Sequence, residues 1–132
     1  MAANTNPIFE LTPFVSGSTL MNVDSTNKKT IYIAGSPSGG RIDCISICSN
    51  DASSQNLAFY INNSIDDLYI GNVNIPSGSG YTTIPKVDGM ANLRPAAQTF
   101  IQMAAGYSLK VNSVTAVTSG STISIITIGG NF

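Results

Sequence analysis

The sequence predicts an all-β chain: an antiparallel jelly roll or related β-sandwich of eight or nine short strands, with an extended N-terminal arm. Three observations carry that prediction. Apolar residues alternate with Ser, Thr and Asn at a period of two. Clusters of Gly, Pro, Ser and Asn punctuate those runs at the even spacing of sandwiches and barrels. Only Val87-Asp88-Gly89-Met90-Ala91-Asn92-Leu93 has the makings of a helical turn, and Pro95 ends it. A chain of 132 residues is one ordinary domain, able to bury roughly 65–70% of its unfolded surface. We divide it into residues 1–18, an arm or edge strand, and residues 19–132, a single sandwich domain.

Residues 1–18 are a polar leader with sparse apolar anchors, Ile8, Phe9, Leu11, Phe14 and Val15, in which Pro7 and Pro13 favour extended backbone. Two readings fit: an edge strand over Ile8 to Leu11, or an arm that buries Phe9 and Phe14 in a neighbour. Strands are then expected over 19–24, 29–34 and 41–48, with the loop Gly35-Ser36-Pro37-Ser38-Gly39-Gly40 between the last two. The 41–48 run is apolar on both faces, as an interior strand should be. Leu57-Ile61 and Leu68-Ile75 follow, and the second changes phase at Gly71-Asn72, a natural place for a bulge. Short strands are expected at Tyr81-Ile84 and Thr99-Met103.

The C-terminal stretch reads as a hairpin. Tyr107, Leu109 and Val111 alternate with polar residues, and Ile123 and Ile125 do the same beyond Thr118-Ser119-Gly120-Ser121. A two-residue turn at Ser119-Gly120 would place Val114 opposite Ile125 and Val111 opposite Ile128. Both strands change apolar phase, the return strand from Ile123 and Ile125 to Ile126 and Ile128. Together with the slip at Gly71-Asn72, this favours bent strands shared between two sheets over a docking surface.

Charge is scarce: Asp, Glu, Lys and Arg make up 10% of the chain, against about 25% in typical globular proteins. A net charge of −1 leaves no basic footprint for nucleic acid. A near-neutral, hydroxyl-rich surface offers little repulsion against association and suits a protein that works docked to others. No run approaches the ~20 apolar residues of a membrane span. The Met1-Ala2-Ala3-Asn4-Thr5-Asn6 start lacks the basic and apolar regions of a signal peptide, so synthesis and use without export, or assembly inside the producing cell, is expected.

The chemistry of catalysis is missing from the residue set. With no His and no Trp, the chain lacks the side chain best suited to proton transfer near neutral pH. Asp66 and Asp67 are adjacent, so in an extended segment they face opposite ways and read as a solvated turn. The glycine-rich loops at 35–40 and 76–80 lack the Gly-Lys-Ser/Thr ending of a phosphate cradle. Cys44 and Cys48, four strand residues or about 13 Å apart, lie too far apart for a mutual disulfide. Two thiols without His also fall short of a metal set. No catalytic residue, cofactor or metal ligand is therefore expected. Tyr60, Tyr69, Tyr81 and Tyr107 offer stacking surfaces for sugars, but none sits in an evident cluster of acids and amides, and half-buried strand tyrosines are the expectation.

The strand Ala105-Gly106-Tyr107-Ser108-Leu109-Lys110-Val111, the turn Val117-Thr118-Ser119-Gly120 and the ending Ile128-Gly129-Gly130-Asn131-Phe132 resemble small jelly-roll proteins of tailed bacteriophage heads. Gly71 to Gly80 and the segment around Val87-Asp88 fit the same pattern. The resemblance spans roughly residues 19–132. It implies a virion structural protein, a decoration or cement protein that binds the outside of the capsid and bridges major capsid subunits, assembled in the host cytoplasm. The implied partners are the major capsid protein and further copies of the chain, as homodimer or homotrimer, with no nucleic acid and no membrane. Weak contacts repeated over several subunits would suffice. No family binding residue carries over, because such contacts follow the shape of the particular shell. From the sequence itself, Ile8, Phe9 and Phe14 are the interface candidates. The alternative reading is a carbohydrate- or receptor-binding sandwich module of a fibre or lectin.

Overall fold

Strands that alternate in this way bury one face each, and among the described residues nine of them close over a common core. The computed structural model describes residues 12–132. Its strands are β1 (Thr12–Met21), β2 (Lys29–Ile33), β3 (Gly40–Ser49), β4 (Gln55–Asn62), β5 (Asp67–Ile75), β6 (Val87–Asp88), β7 (Ile101–Met103), β8 (Ser108–Ser113) and β9 (Thr122–Asn131). A 3-10 turn at Asn22–Asp24 and the four-residue helix α1 (Met90–Leu93) interrupt them. Sheet I has the order β1-β9-β3-β6, with β7 also on β3; sheet II has the order β2-β8-β4-β5. All pairings are antiparallel. Strand pairs β1–β2, β3–β4 and β8–β9 each cross from one sheet to the other, the wrapped order of a jelly roll.

The core lies between the sheets. Ile42, Ile45 and Ile47 of β3 and Ile123 and Ile125 of β9 meet Leu57 and Phe59 of β4 and Leu109 and Val111 of β8, all fully buried. Each such side chain contributes about 1.5–3 kcal/mol by leaving water. Val87 and Asp88, expected in a helical turn, instead pair with Ile47 and Ser46, and the helix is confined to Met90–Leu93. Tyr81 to Ile84 is turn and bend rather than strand. Residues 12–18 belong to β1, an edge strand that runs on to Met21. At Gly17, β1 approaches β9 so closely that a Cβ would overlap the Ile125 carbonyl. A run that reads as polar leader is therefore strand.

The expected C-terminal hairpin does not form. β8 has both edges taken, by β2 and β4, while β9 lies between β1 and β3 in the other sheet. Val111 pairs with Lys29 and Phe59, and Ile128 with Val15 and Cys44. The Ser121 amide does donate to the Thr118 carbonyl at 2.9 Å, but the turn sits in an arch joining the sheets. The reason is burial: Val111 and Ile125 both need the core, and facing sheets satisfy both where neighbouring strands with opposed phases would not. Val117, fully buried, plugs the end of the core inside that arch. Asp51, also fully buried, ties the β3–β4 loop to it by accepting from the Ser53 amide at 2.8 Å, Gln55 Nε2 at 2.9 Å and Thr118.

The phase change in β9 is likewise not a change of buried face. Ile123, Ile125, Thr127 and Gly129 all point inward, while Ile126 and Ile128 stay on the outer face. The slip in β5 has a different cause. Phe59 pairs with Gly71 but Tyr60 pairs with Tyr69, so Ile70 is the extra residue of a β-bulge.

Candidate functional site

The outward positions of three adjacent strands in sheet I make one surface. β1 supplies Pro13, Val15, Gly17, Thr19 and Met21. Beside them β9 supplies Ser124, Ile126 and Ile128, and β3 supplies Cys44, Ser46 and Cys48. The register aligns Val15, Ile128 and Cys44 in one cross-strand row, and Gly17, Ile126 and Ser46 in the next. None of these positions is charged. Val15, on the edge strand, is 74% exposed, and Ile126 and Ile128, on the interior strand β9, are 45% and 43% exposed, so the three form one open apolar patch. Cys44 and Cys48 are free thiols, half-buried on the same face.

Charges collect at the rim instead. A second bulge, at Asp43, lets Arg41 pair with Asp43 at 3.0 Å, and the guanidinium also lies 4.5 Å from the Phe100 ring centroid. On the far side of β3, Lys86 and Asp88 flank a shallow groove of about 160 Å³ with Cys44 and Ser46. Asp88 Oδ1 accepts from the Met90 amide at 2.9 Å and so starts α1. An uncharged apolar stripe rimmed by charged residues has the anatomy of a protein-docking surface.

The sequence-derived candidates sit elsewhere. Ile8 and Phe9 lie outside the described residues. Phe14 is on the inner side of β1, half-buried, its ring stacked on Tyr32 at 4.1 Å between centroids and 10° between planes. Tyr32 in turn donates its hydroxyl to Asn131 Oδ1 at 2.5 Å. Phe14 therefore packs within its own chain, beside a groove of about 400 Å³ between edge strands β1 and β2. The structure does not bring it to the apolar face of sheet I. That face was missed because Ile126 and Ile128 look like core residues in a sequence; only the inward phase of Thr127 and Gly129 shows otherwise.

The acids are dispersed. Asp88 belongs to sheet I and Asp67 to sheet II, while Asp66 lies in the β4–β5 turn. Among the described residues no three His, Cys, Asp or Glu side chains are grouped to hold a metal ion, and no helix is long and apolar enough to cross a membrane.

Tyr60 is half-buried on its strand as expected, whereas Tyr69 and Tyr81 are more than half exposed. Tyr60 and Tyr69 pack edge to face at 5.8 Å on the outer side of sheet II, with one acid, Asp67, and one amide, Asn62, in the next register row on that face. Lys28 Nζ lies 4.1 Å from the Tyr60 ring centroid and 2.9 Å from Asp67 Oδ2. Asn62 Nδ2 donates to Asp67 Oδ1 at 2.8 Å, and Lys110 Nζ stands 3.8 Å from that oxygen. The Asn62 amide, with Lys28, holds the Asp67 carboxyl below the usual carboxylate range.

Comparison with protein families, curated proteins and solved structures finds no match to this chain. The two sheet faces and their chemistry therefore carry the functional argument.

Proposed function

We propose that this protein is a capsid decoration protein of a tailed bacteriophage, a structural component that docks on the outer shell and bridges major capsid subunits. The observation that carries the reading is the uncharged stripe from Val15 through Ile128 and Ile126 to Cys44 and Ser46 on the outer face of sheet I, flanked by Arg41 and Asp43 at one end and by Asp88 on the neighbouring strand. The resemblance of residues 19–132 to small jelly-roll proteins of tailed bacteriophage heads, carried mainly by the motifs after Ala105, supports the same reading. So does the low charge, which favours association at high local concentration.

Size argues for a multivalent mode. Three strands of ten residues cover roughly 450 Å² in projection, below the ~800 Å² that each partner commonly buries in a stable pairwise complex. One copy alone binds weakly; a homodimer or homotrimer engaging several capsid subunits at once binds through effective concentration. No reacting group is required, and rigidity of the sandwich is what lets a docked copy resist shell expansion.

Purified particles of the encoding virus provide the test. The protein should co-purify in fixed proportion, and particles assembled without it should break at lower temperature or lower salt tolerance. Particles that lack it and still withstand heating equally would exclude a cementing role.

A further inference from the structure

Beyond the docking role, we infer that the outer face of sheet II carries a saccharide-binding platform, with Tyr69 as its stacking surface and Asp67 and Lys110 as its polar groups. It takes a pyranose ring.

The β-bulge at Ile70 creates this arrangement. Were β5 regular beyond the Phe59–Gly71 pair, Tyr69 would lie opposite Ile61 and turn toward the core side. The extra residue instead aligns Tyr69 with Tyr60 and Asp67 with Asn62. Bulges recur where a side chain must be re-aimed. The backbone is fixed around it, because Gly71 adopts φ +154° against the Asn92 carbonyl of the α1 segment. At the other end, the Asn63 side-chain oxygen accepts from the Ile65 and Asp66 amides at 3.0 and 2.7 Å, which rigidifies the β4–β5 turn.

The chemistry selects the ligand class. Tyr69 is 59% exposed and meets Tyr60 at 61° between ring planes, so more than half of the side chain is open to the C–H face of a sugar ring. Tyr60 itself is capped on one face by Lys28, so it buttresses Tyr69. The Asp67 carboxylate keeps lone pairs beyond its bonds to Asn62 and Lys28, and Lys110 adds donors beside it. A carboxylate and an ammonium flanking an aromatic surface match the vicinal hydroxyls of a pyranose, which both donate and accept. A phosphate or other anion fits less well, since both lysines already face Asp67. Strands rather than loops hold most of these groups, so little ordering accompanies binding. The platform is on the sheet opposite the docking stripe, and it faces away from a shell on which sheet I is seated.

The test uses the full-length protein with methyl glycosides of glucose, galactose and mannose, followed by amide NMR, and a panel of neutral oligosaccharides on a glycan array. Heparin fragments serve as the anionic probe. Shifts confined to residues around Tyr60, Asn62, Asp67, Tyr69 and Lys110 are expected for at least one neutral sugar. Tyr69→Ala, at an exposed position, should weaken binding about tenfold or more, while Tyr69→Phe retains it and both variants keep particle association. Absence of binding across the neutral panel, shifts centred elsewhere, binding unchanged in Tyr69→Ala, or binding of heparin fragments alone would each overturn the assignment. Failure here leaves the decoration role intact, because that role is read from particle association.

Discussion

Thr118 donates both its backbone N–H and its hydroxyl to the Asp51 carboxylate, at 3.0 and 2.7 Å, across 67 residues of chain. This pair closes one end of the sandwich. It fixes the arch between β8 and β9 and so sets the position at which β9 enters sheet I. The outer stripe, with Ile126 and Ile128, depends on that entry.

Thr118→Val removes the hydroxyl donor while leaving the amide and the β-branched shape. A hydrogen bond to a buried charged group is worth about 1.5–3 kcal/mol, so the thermal midpoint should drop by about 5–10 °C. Asp51→Asn should cost more, since one acceptor oxygen becomes a donor facing other donors. Thermal melts at neutral pH check both.

Stability should fall in acid through Asp51. Burial pushes its carboxyl up, but donation from the Ser53 and Thr118 amides, the Thr118 hydroxyl and Gln55 outweighs burial and holds the pKa at about 2. A folded pKa below the unfolded value stabilises the fold above about pH 4 and loses that contribution as pH falls toward 2. The loss amounts to about 2 kcal/mol. The Met21 amide lowers Asp24 and the Asn62 amide lowers Asp67, but both are exposed to screening and add little. Urea melts between pH 5 and pH 2, in approximate steps of one unit, should show the decline in the native chain and a much flatter profile in Asp51→Asn.

Gly71→Ala should destabilise the β5 bulge by about 1–3 kcal/mol. A Cβ there would sit 3.0 Å from the Asn92 carbonyl oxygen and 3.2 Å from Leu93 Cδ2, on backbone at φ +154°. Amide shifts spreading from Gly71 to Asn92 and Leu93, with a lower melting temperature, are the expected signature.

Ile126→Lys and Ile128→Lys should fold normally, each changing stability by no more than about 0.5–1 kcal/mol. Both positions are partly exposed on the outer face, where a lysine stem packs along the sheet and its ammonium reaches water. Melting curves that collapse would mean these isoleucines belong to the core.

The fold class was legible in the sequence because period-two alternation and turn clusters are local signals. Sheet membership was not. Leu109 and Val111 next to Ser119-Gly120 and then Ile123 and Ile125 suit either a hairpin or an arch, and only the competition for the edges of β8 decides between them. The bulge in β5 was visible as a slip at Gly71-Asn72, yet its consequence, Tyr69 delivered beside Tyr60 and Asp67, depends on the partner strand's register. The apolar outer face was hidden for a related reason. Ile126 and Ile128 are indistinguishable by residue type from Ile123 and Ile125, and their exposure follows from Thr127 and Gly129 taking the inward positions.

The most direct test of the docking account is cosedimentation of the purified protein with heads lacking it. The native chain should pellet with the heads in a saturable, fixed proportion. The double variant Ile126→Lys/Ile128→Lys, folded by its melting curve, should stay in the supernatant. Equal pelleting of the double variant would contradict docking through sheet I, and failure of the native chain to pellet would contradict the decoration role itself.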